Sequence, residues 1–133
     1  VDAGAQILCG GQREGTLFEP TVIVDAPWTT KLAHEEAFAP MVLLYPVADV
    51  QEAVELTNVP DYGLQAAIYT NEIDTAFQFA EGVDCGGVNV NETCWWRVDF
   101  QPYGGRKRSG IGREGIKYAI EEMTELKTIA FKV

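Results

Sequence analysis

Apolar positions along this chain follow two rhythms. Thr21-Val22-Ile23-Val24 and Met41-Val42-Leu43-Leu44-Tyr45 are continuous apolar runs, the pattern of strands covered on both faces. After the second run, Asp49 is placed to cap a helix with Glu52 three residues on, and Val50, Ala53, Val54 and Thr57 fall on one side of it. That predicts a crossover helix returning to a strand at Gln65-Ala66-Ala67-Ile68-Tyr69-Thr70. The unit then repeats. Asn71 is the expected cap, with Asp74 at the third position, and Ile73, Ala76, Phe77 and Ala80 form the expected buried stripe. Gly82 is the expected left-handed stop, and Gly87-Val88-Asn89-Val90 is the next strand. Each connection is too long for a hairpin and long enough to cross a sheet, so the expected fold class is α/β with a parallel sheet.

The last part of the chain reads differently. From about Gly112 to Met123, the positions Ile116, Ala119, Ile120 and Met123 share one helical face. Beyond them, Ile129, Phe131 and Val133 alternate with Thr128, Ala130 and Lys132, a strand with one apolar face and edge lysines at 127 and 132. No partner strand adjoins it in sequence. Two outcomes stay open: pairing with another subunit, or closure onto its own sheet.

Composition narrows the class. The chain has 133 residues, 47% of them hydrophobic, with a net charge of −10 and no apolar run long enough for a membrane helix, so a membrane-spanning reading does not fit. It begins on Val1 without a leader pattern, which suggests a piece of something larger. Three cysteines, Cys9, Cys85 and Cys94, match no zinc spacing and point to free thiols in a reducing, cytoplasmic setting. Charge is unevenly spread: the part up to Trp96 is strongly acidic and the part from Arg97 onward is mildly basic. The cluster Arg106-Lys107-Arg108 with Arg113 has no aromatic residue within it, and the remaining charge repels nucleic acid, which is therefore not an expected partner.

Candidate chemistry is sparse. Gly110-Ile111-Gly112-Arg113-Glu114-Gly115 has the spacing of a dinucleotide fingerprint, but no hydrophobic strand leads into it, so its glycines are expected to serve close packing and the start of a helix. His34 lacks a second ligand or an orienting acid and is expected to be an exposed helical residue. On a helix, the adjacent Glu35 and Glu36 would point about 100° apart. One of them is suited to accept hydrogen bonds from a pair of sugar hydroxyls while Phe38 packs on a flat ring, and a solvated helix end is the alternative. None of the cysteines has a partner that would activate it. Trp95-Trp96-Arg97 forms either a wall for an anionic or flat ligand or an interface anchor.

Specific strings then add what spacing cannot. Glu35-Glu36-Ala37-Phe38-Ala39-Pro40, Asn58-Val59-Pro60-Asp61-Tyr62-Gly63-Leu64-Gln65-Ala66-Ala67, Val88-Asn89-Val90-Asn91 and Pro102-Tyr103-Gly104-Gly105-Arg106-Lys107-Arg108-Ser109-Gly110 through Arg113-Glu114 resemble, in order and spacing, the C-terminal third of the aldehyde dehydrogenase superfamily. Ala39 and Tyr103 depart from the commonest family residues, Gly and Phe.

The resemblance implies the parallel-sheet αβα catalytic-domain portion of that fold over residues 1–124, with an oligomerisation strand over 125–133. It implies NAD or NADP as cofactor and oxidation of an aldehyde to an acid through a cysteine thioester. It also implies self-association as a dimer or tetramer. Carried over by position, Glu36 holds the nicotinamide ribose, Phe38 lies beside the nicotinamide, and Trp96, Arg97 and Tyr103 line the substrate pocket. The segments from Arg97 to Gly105 and from Gly115 to Glu125 are similar to branches acting on lactaldehyde or glyceraldehyde 3-phosphate, so Arg97 is expected to pair with a substrate anion. None of the cysteines matches the nucleophile motif, so no catalytic residue is expected here and the chain alone is expected to be inactive. A standalone binding or oligomerisation module built on the same fold is the alternative.

Overall fold

The computed structural model describes residues 3–133. Strand β1 (Gln6–Cys9) pairs antiparallel with β4 (Thr21–Val24), which pairs parallel and in register with β5 (Met41–Leu44). Between β1 and β4 a short hairpin, β2 (Arg13–Glu14) and β3 (Leu17–Phe18), turns on Gly15 at φ 58°. A positive φ costs glycine little, which is why the turn sits there. Thr21 is the buried hinge of this layer. Its hydroxyl accepts from the Gly11 N–H at 2.8 Å and donates to the Glu19 carbonyl at 2.8 Å, so a polar side chain 3% exposed is fully satisfied.

Helix α1 (Lys31–His34) precedes β5, and α2 (Val50–Asn58) follows it. The expected cap of α2 is present. The Asp49 carboxylate accepts from the Glu52 N–H at 2.9 Å, and Glu52 reaches back to the Ala48 N–H at 2.6 Å. Next come β6 (Tyr62–Gly63), β7 (Gln65–Ile68), α3 (Ile73–Gly82) and β8 (Gly87–Val90), with β7 and β8 parallel and in register. The two helices pack on one another over a small core of Val54, Ala66, Phe79 and Val83. A two-residue strand, β9 (Arg106–Lys107), pairs antiparallel with β6, and α4 (Ile116–Met123) ends the regular structure.

Of the two expected crossovers, α3 joins the parallel neighbours β7 and β8, whereas α2 does not: β5 pairs with β4 and not with β7. The β1-β4-β5 and β7-β8 ladders are separate among the described residues. Between them opens an apolar cleft of about 610 Å³, lined by Trp28, Tyr45, Val50, Leu56, Ile68 and Phe79. Trp28 and Tyr45 stack there at 4.3 Å.

Several local expectations change. Glu72, not Asn71, stands at the N-cap of α3, and its side chain makes no cap bond. The buried stripe of α3 is rotated: Phe79 is 6% exposed while Phe77 and Ile73 are 59% and 69% exposed. Packing against Val54 decides this, because Ala76, Phe79 and Val83 also satisfy helical spacing and face α2. Gly82 is not a left-handed stop. It lies where a Cβ would come within 2.8 Å of a Val54 methyl, so its role is close helix approach. Helix α1 stops at His34, which puts Glu35 in extended backbone and takes both glutamates off the helix. Helix α4 starts at Ile116 rather than near Gly112, and residues 124–133 run without regular structure and exposed in the single chain.

The exposed area is 10322 Å². A compact monomer of 14.6 kDa would expose about 6900 Å². The excess is apolar in large part: Ile116, Ile120 and Met123 of α4 and Leu126, Ile129 and Phe131 beyond it all face outward.

Candidate functional site

The site is built where β8 ends and the chain turns into a long loop. Asn91 takes φ 57°, a conformation that asparagine tolerates better than most residues, and ties the loop start to Thr70. Two residues earlier, the Asn89 side-chain amide donates to the Thr93 carbonyl at 2.6 Å and to the Trp96 carbonyl at 3.3 Å. Trp96 also donates its own N–H to Thr93 at 3.2 Å. One asparagine thus folds residues 93–96 back over the end of β8.

The loop continues to Arg97, whose guanidinium carbon lies 4.2 Å from the centre of the Tyr103 ring. That is cation–π distance, and it points the charge along the ring face. The same guanidinium reaches the Glu114 carboxylate, Nη1 to Oε2 at 3.4 Å. Tyr103 and Glu114 exchange backbone hydrogen bonds, Tyr103 N–H to the Glu114 carbonyl at 3.1 Å and the reverse at 2.6 Å. Trp96 and Tyr103 line one cleft of about 300 Å³ with Leu64, Gln65, Val88 and Asn89. The sequence-derived trio is therefore brought together: two aromatics on a cleft and a cation anchored on one of them.

Glycine holds this loop on the sheet. A Cβ on Gly86 would run into the Gly104 carbonyl, and a Cβ on Gly104 would come within 2.5 Å of the Gly112 carbonyl. Three backbone segments approach too closely here for side chains. The G-x-G-x-x-G string plays its part in that packing: Gly110, Gly112 and Gly115 all have positive φ, and Gly115 precedes the first residue of α4. The segment before it is β9 and a turn, not the hydrophobic strand of a dinucleotide fold.

Glu36 and Phe38 lie elsewhere, on the irregular segment between α1 and β5, and do not line the cleft of Trp96 and Tyr103. Glu35 and Glu36 have different fates. Glu35 pairs with Lys31 at 3.2 Å, whereas Glu36 is exposed and makes no hydrogen bond or ion pair among the described residues. Phe38 is 93% exposed. His34, expected to be exposed, is half-buried and bonds through its ring to the Trp28 carbonyl, so it is a structural residue.

The basic cluster is spent on the fold. Arg106 pairs with Asp84 at 2.6 Å, Lys107 donates to the Asn58 and Pro60 carbonyls, Arg108 meets Asp61, and Arg113 donates to the Gly105 and Gly112 carbonyls. The three cysteines are free. Burial pushes the Cys85 thiol above its ordinary value, and its sulfur hydrogen bonds to the Gly87 carbonyl, the opposite of an activated nucleophile. Among the described residues there is no cluster that could hold a metal ion, and no helix long and apolar enough to cross a membrane.

Asn89, Asn91 and Glu114 organise the site without having been assigned a role from sequence. A signal for the asparagines existed: in the alternation Val88-Asn89-Val90-Asn91 two amides recur at the spacing of one strand face, at the point where the strand ends.

Known proteins share the sequence and fold of this chain. The family described as "Aldehyde dehydrogenase family" matches residues 1–129. Lactaldehyde dehydrogenase of Methanococcus aeolicus is 42% identical over 129 residues, 97% of this chain and 28% of that protein. The structure of aldehyde dehydrogenase 21 from Physcomitrella patens, in complex with the reaction product succinate, superimposes with a TM-score of 0.88 at 48% identity, covering 93% of this chain and 26% of that one. Glyceraldehyde-3-phosphate dehydrogenase from Methanocaldococcus jannaschii, complexed with NADP, gives 0.86 at 41% identity, covering 96% and 28%. The chain spans about a quarter of the length of these relatives.

Proposed function

The chain belongs to the aldehyde dehydrogenase family, and on that premise we propose that it is the substrate-loop and subunit-contact portion of an NAD(P)-dependent enzyme oxidising an anionic aldehyde to a carboxylic acid. The observation that carries the reading is the Arg97 guanidinium, held over Tyr103 beside the cleft that Trp96 and Tyr103 line. A guanidinium so placed offers paired donors to a carboxylate or phosphate. The relatives support that substrate class: one was solved with succinate, and another acts on glyceraldehyde 3-phosphate.

The cofactor residues fit their proposed task. Glu36 is a carboxylate without a protein partner among the described residues, suited to accept from two ribose hydroxyls, and Phe38 presents a bare ring to a flat group. A nicotinamide supplies hydride acceptance when bound. Glu36 orients it and Phe38 restricts its face. The thioester chemistry belongs to a cysteine outside this chain, because Cys85 is deactivated by burial and neither Cys9 nor Cys94 lines the cleft beside Arg97.

The large exposed apolar area supports a portion of a larger assembly over a standalone module. The apolar positions of residues 125–133 are the proposed contact with a neighbouring subunit, and three free thiols support a reducing, cytoplasmic setting.

The test is Arg97→Ala in the full-length enzyme. Loss of a paired charge-assisted contact is worth about 1.5–3 kcal/mol, so KM for anionic aldehydes should rise by roughly ten- to a hundredfold, with neutral aldehydes little changed. Equal effects on both would remove the anion reading. Aldehyde-dependent NAD(P)H production by the 133-residue chain alone would overturn the assignment as an inactive portion.

A further inference from the structure

We propose that Glu114 sets the selectivity of this site by competing with the substrate's anionic group for Arg97. The inference rests on the reading of Arg97 as the anion-binding residue and adds to it the residue that governs how strongly that charge is offered.

Arg97 differs from three of the other cations of its region. Arg106, Lys107 and Arg113 are tied to carbonyls or to Asp84 in ways that hold chain segments together. Arg97 instead touches a ring face and one carboxylate, at 4.2 Å and 3.4 Å. Arg108 resembles Arg97 in lying over a ring, Tyr62 at 5.5 Å, and near one carboxylate, Asp61 at 3.6 Å, but Tyr62 does not line the cleft of Trp96 and Tyr103. Both partners sit on a single unit, because Tyr103 and Glu114 are locked to each other by two backbone hydrogen bonds. The carboxylate is thus delivered to the guanidinium by the same bridge that places the ring. The bridge fixes the Glu114 backbone, and the exposed side chain spans the remaining distance to the guanidinium.

The pair is also exchangeable. The Arg97 and Glu114 side chains are 38% and 70% exposed, so water screens their attraction and an incoming carboxylate or phosphate can take the place of Glu114 at the guanidinium. Without an anion, Glu114 neutralises Arg97 and keeps it lying on Tyr103, which leaves the neighbouring cleft open to neutral aldehydes. With an anion, the substrate must displace a like-charged competitor. Binding is weakened by what the pair was worth, and the preference for charged over neutral aldehydes is moderated by the same amount.

The experiment uses the full-length enzyme with two probes of equal length, 4-oxobutanoate and butanal. Glu114→Gln removes the charge while leaving the backbone bridge to Tyr103 intact. An exposed ion pair corresponds to a factor of about two to five. KM for 4-oxobutanoate should fall by that factor, KM for butanal should hold, and competitive inhibition by succinate should strengthen equally. In the Arg97→Ala background the Glu114→Gln effect should vanish, as a double-mutant cycle requires for a coupled pair. The proposal is overturned if Glu114→Gln moves both aldehydes together, raises KM for 4-oxobutanoate, leaves it unchanged, or acts undiminished without Arg97. If Arg97→Ala itself fails to discriminate between the probes, the anion reading falls and this proposal with it. If Arg97→Ala discriminates and Glu114→Gln does not, only the competitor role is lost.

Discussion

Asn91 grips Thr70 through both ends of its side-chain amide: Oδ1 accepts from the Thr70 N–H at 2.8 Å, and Nδ2 donates to the Thr70 carbonyl at 2.8 Å. The amide imitates a peptide group and carries the β7–β8 ladder one step past Val90, while the Asn91 backbone at φ 57° turns the chain into the substrate loop. Asn91→Ala loses both bonds and keeps a strained φ, so it should cost about 1–2 kcal/mol. Asn91→Gly loses the bonds but relieves the backbone and should cost less. Thermal unfolding of the two variants side by side checks the order; a larger loss for the glycine variant would refute it.

Gly86 and Gly87 are neighbours with opposite tolerance. A Cβ at Gly86 collides with the Gly104 carbonyl, a backbone atom that cannot move aside cheaply, whereas at Gly87 the nearest atom is the Gln65 Cγ at 3.8 Å. Gly86→Ala is expected to destabilise by about 3 kcal/mol or more and to lift the 96–104 loop off the sheet. Gly87→Ala should be near neutral. Soluble yield and unfolding temperature of the pair distinguish the two sites, and equal behaviour would contradict the close approach.

Thiol chemistry should follow burial in the 133-residue chain. Cys9 and Cys94 are exposed, while burial raises Cys85. A neutral alkylating reagent at mildly alkaline pH should label Cys9 and Cys94 first, with Cys85 lagging. The linkage has a definite sign. A thiol that holds its proton more tightly when folded contributes stability below the ordinary thiol value of about 8.5, and that contribution is lost as pH rises through the raised value. Cys85→Ser should therefore flatten the alkaline fall of stability. Faster labelling of Cys85 than of Cys94, read by peptide mass, would contradict the burial argument.

The tail makes a prediction about assembly. Ile129, Phe131 and Val133 are exposed in the single chain and occupy alternate positions in the sequence. Ile129→Lys with Phe131→Lys in the full-length enzyme should shift the particle toward smaller species in light scattering at unchanged monomer fold. An unaltered mass would exclude this segment from the subunit contact.

Asp49 shows how much of the fold is legible locally. A carboxylate before a helical repeat, with a glutamate three residues on, predicts a cap whatever the rest of the chain does, and the two bonds are present. Asp49→Ala should cost about 1 kcal/mol, measurable as a lower unfolding midpoint. Asn71 shows the limit of the same rule. It was as good a cap by type, yet α3 begins after Glu72, because Thr70 is held by Asn91 and its hydroxyl accepts from the Glu72 N–H at 3.1 Å. The site divides in the same way. Arg97, beside two indoles, was legible as chemistry and Tyr103 through the family resemblance, while Glu114, distant in sequence, became part of the site only through its backbone bridge to Tyr103.

By itself, the sequence determined what short-range physics controls. Apolar runs made strands, capped periodic stretches made helices, the connection length between β7 and β8 made that pair parallel, and ordered motifs marked the family. Only the tertiary structure decided which face of α3 is buried, that among the described residues the two ladders stand apart and Glu35 is paired while Glu36 is not, and that the basic cluster belongs to the fold. The reason is that helical spacing admits several faces and a charge admits many partners. Packing against a particular neighbour, here Val54 against Phe79 and Gly82, or Asp84 against Arg106, selects one of them.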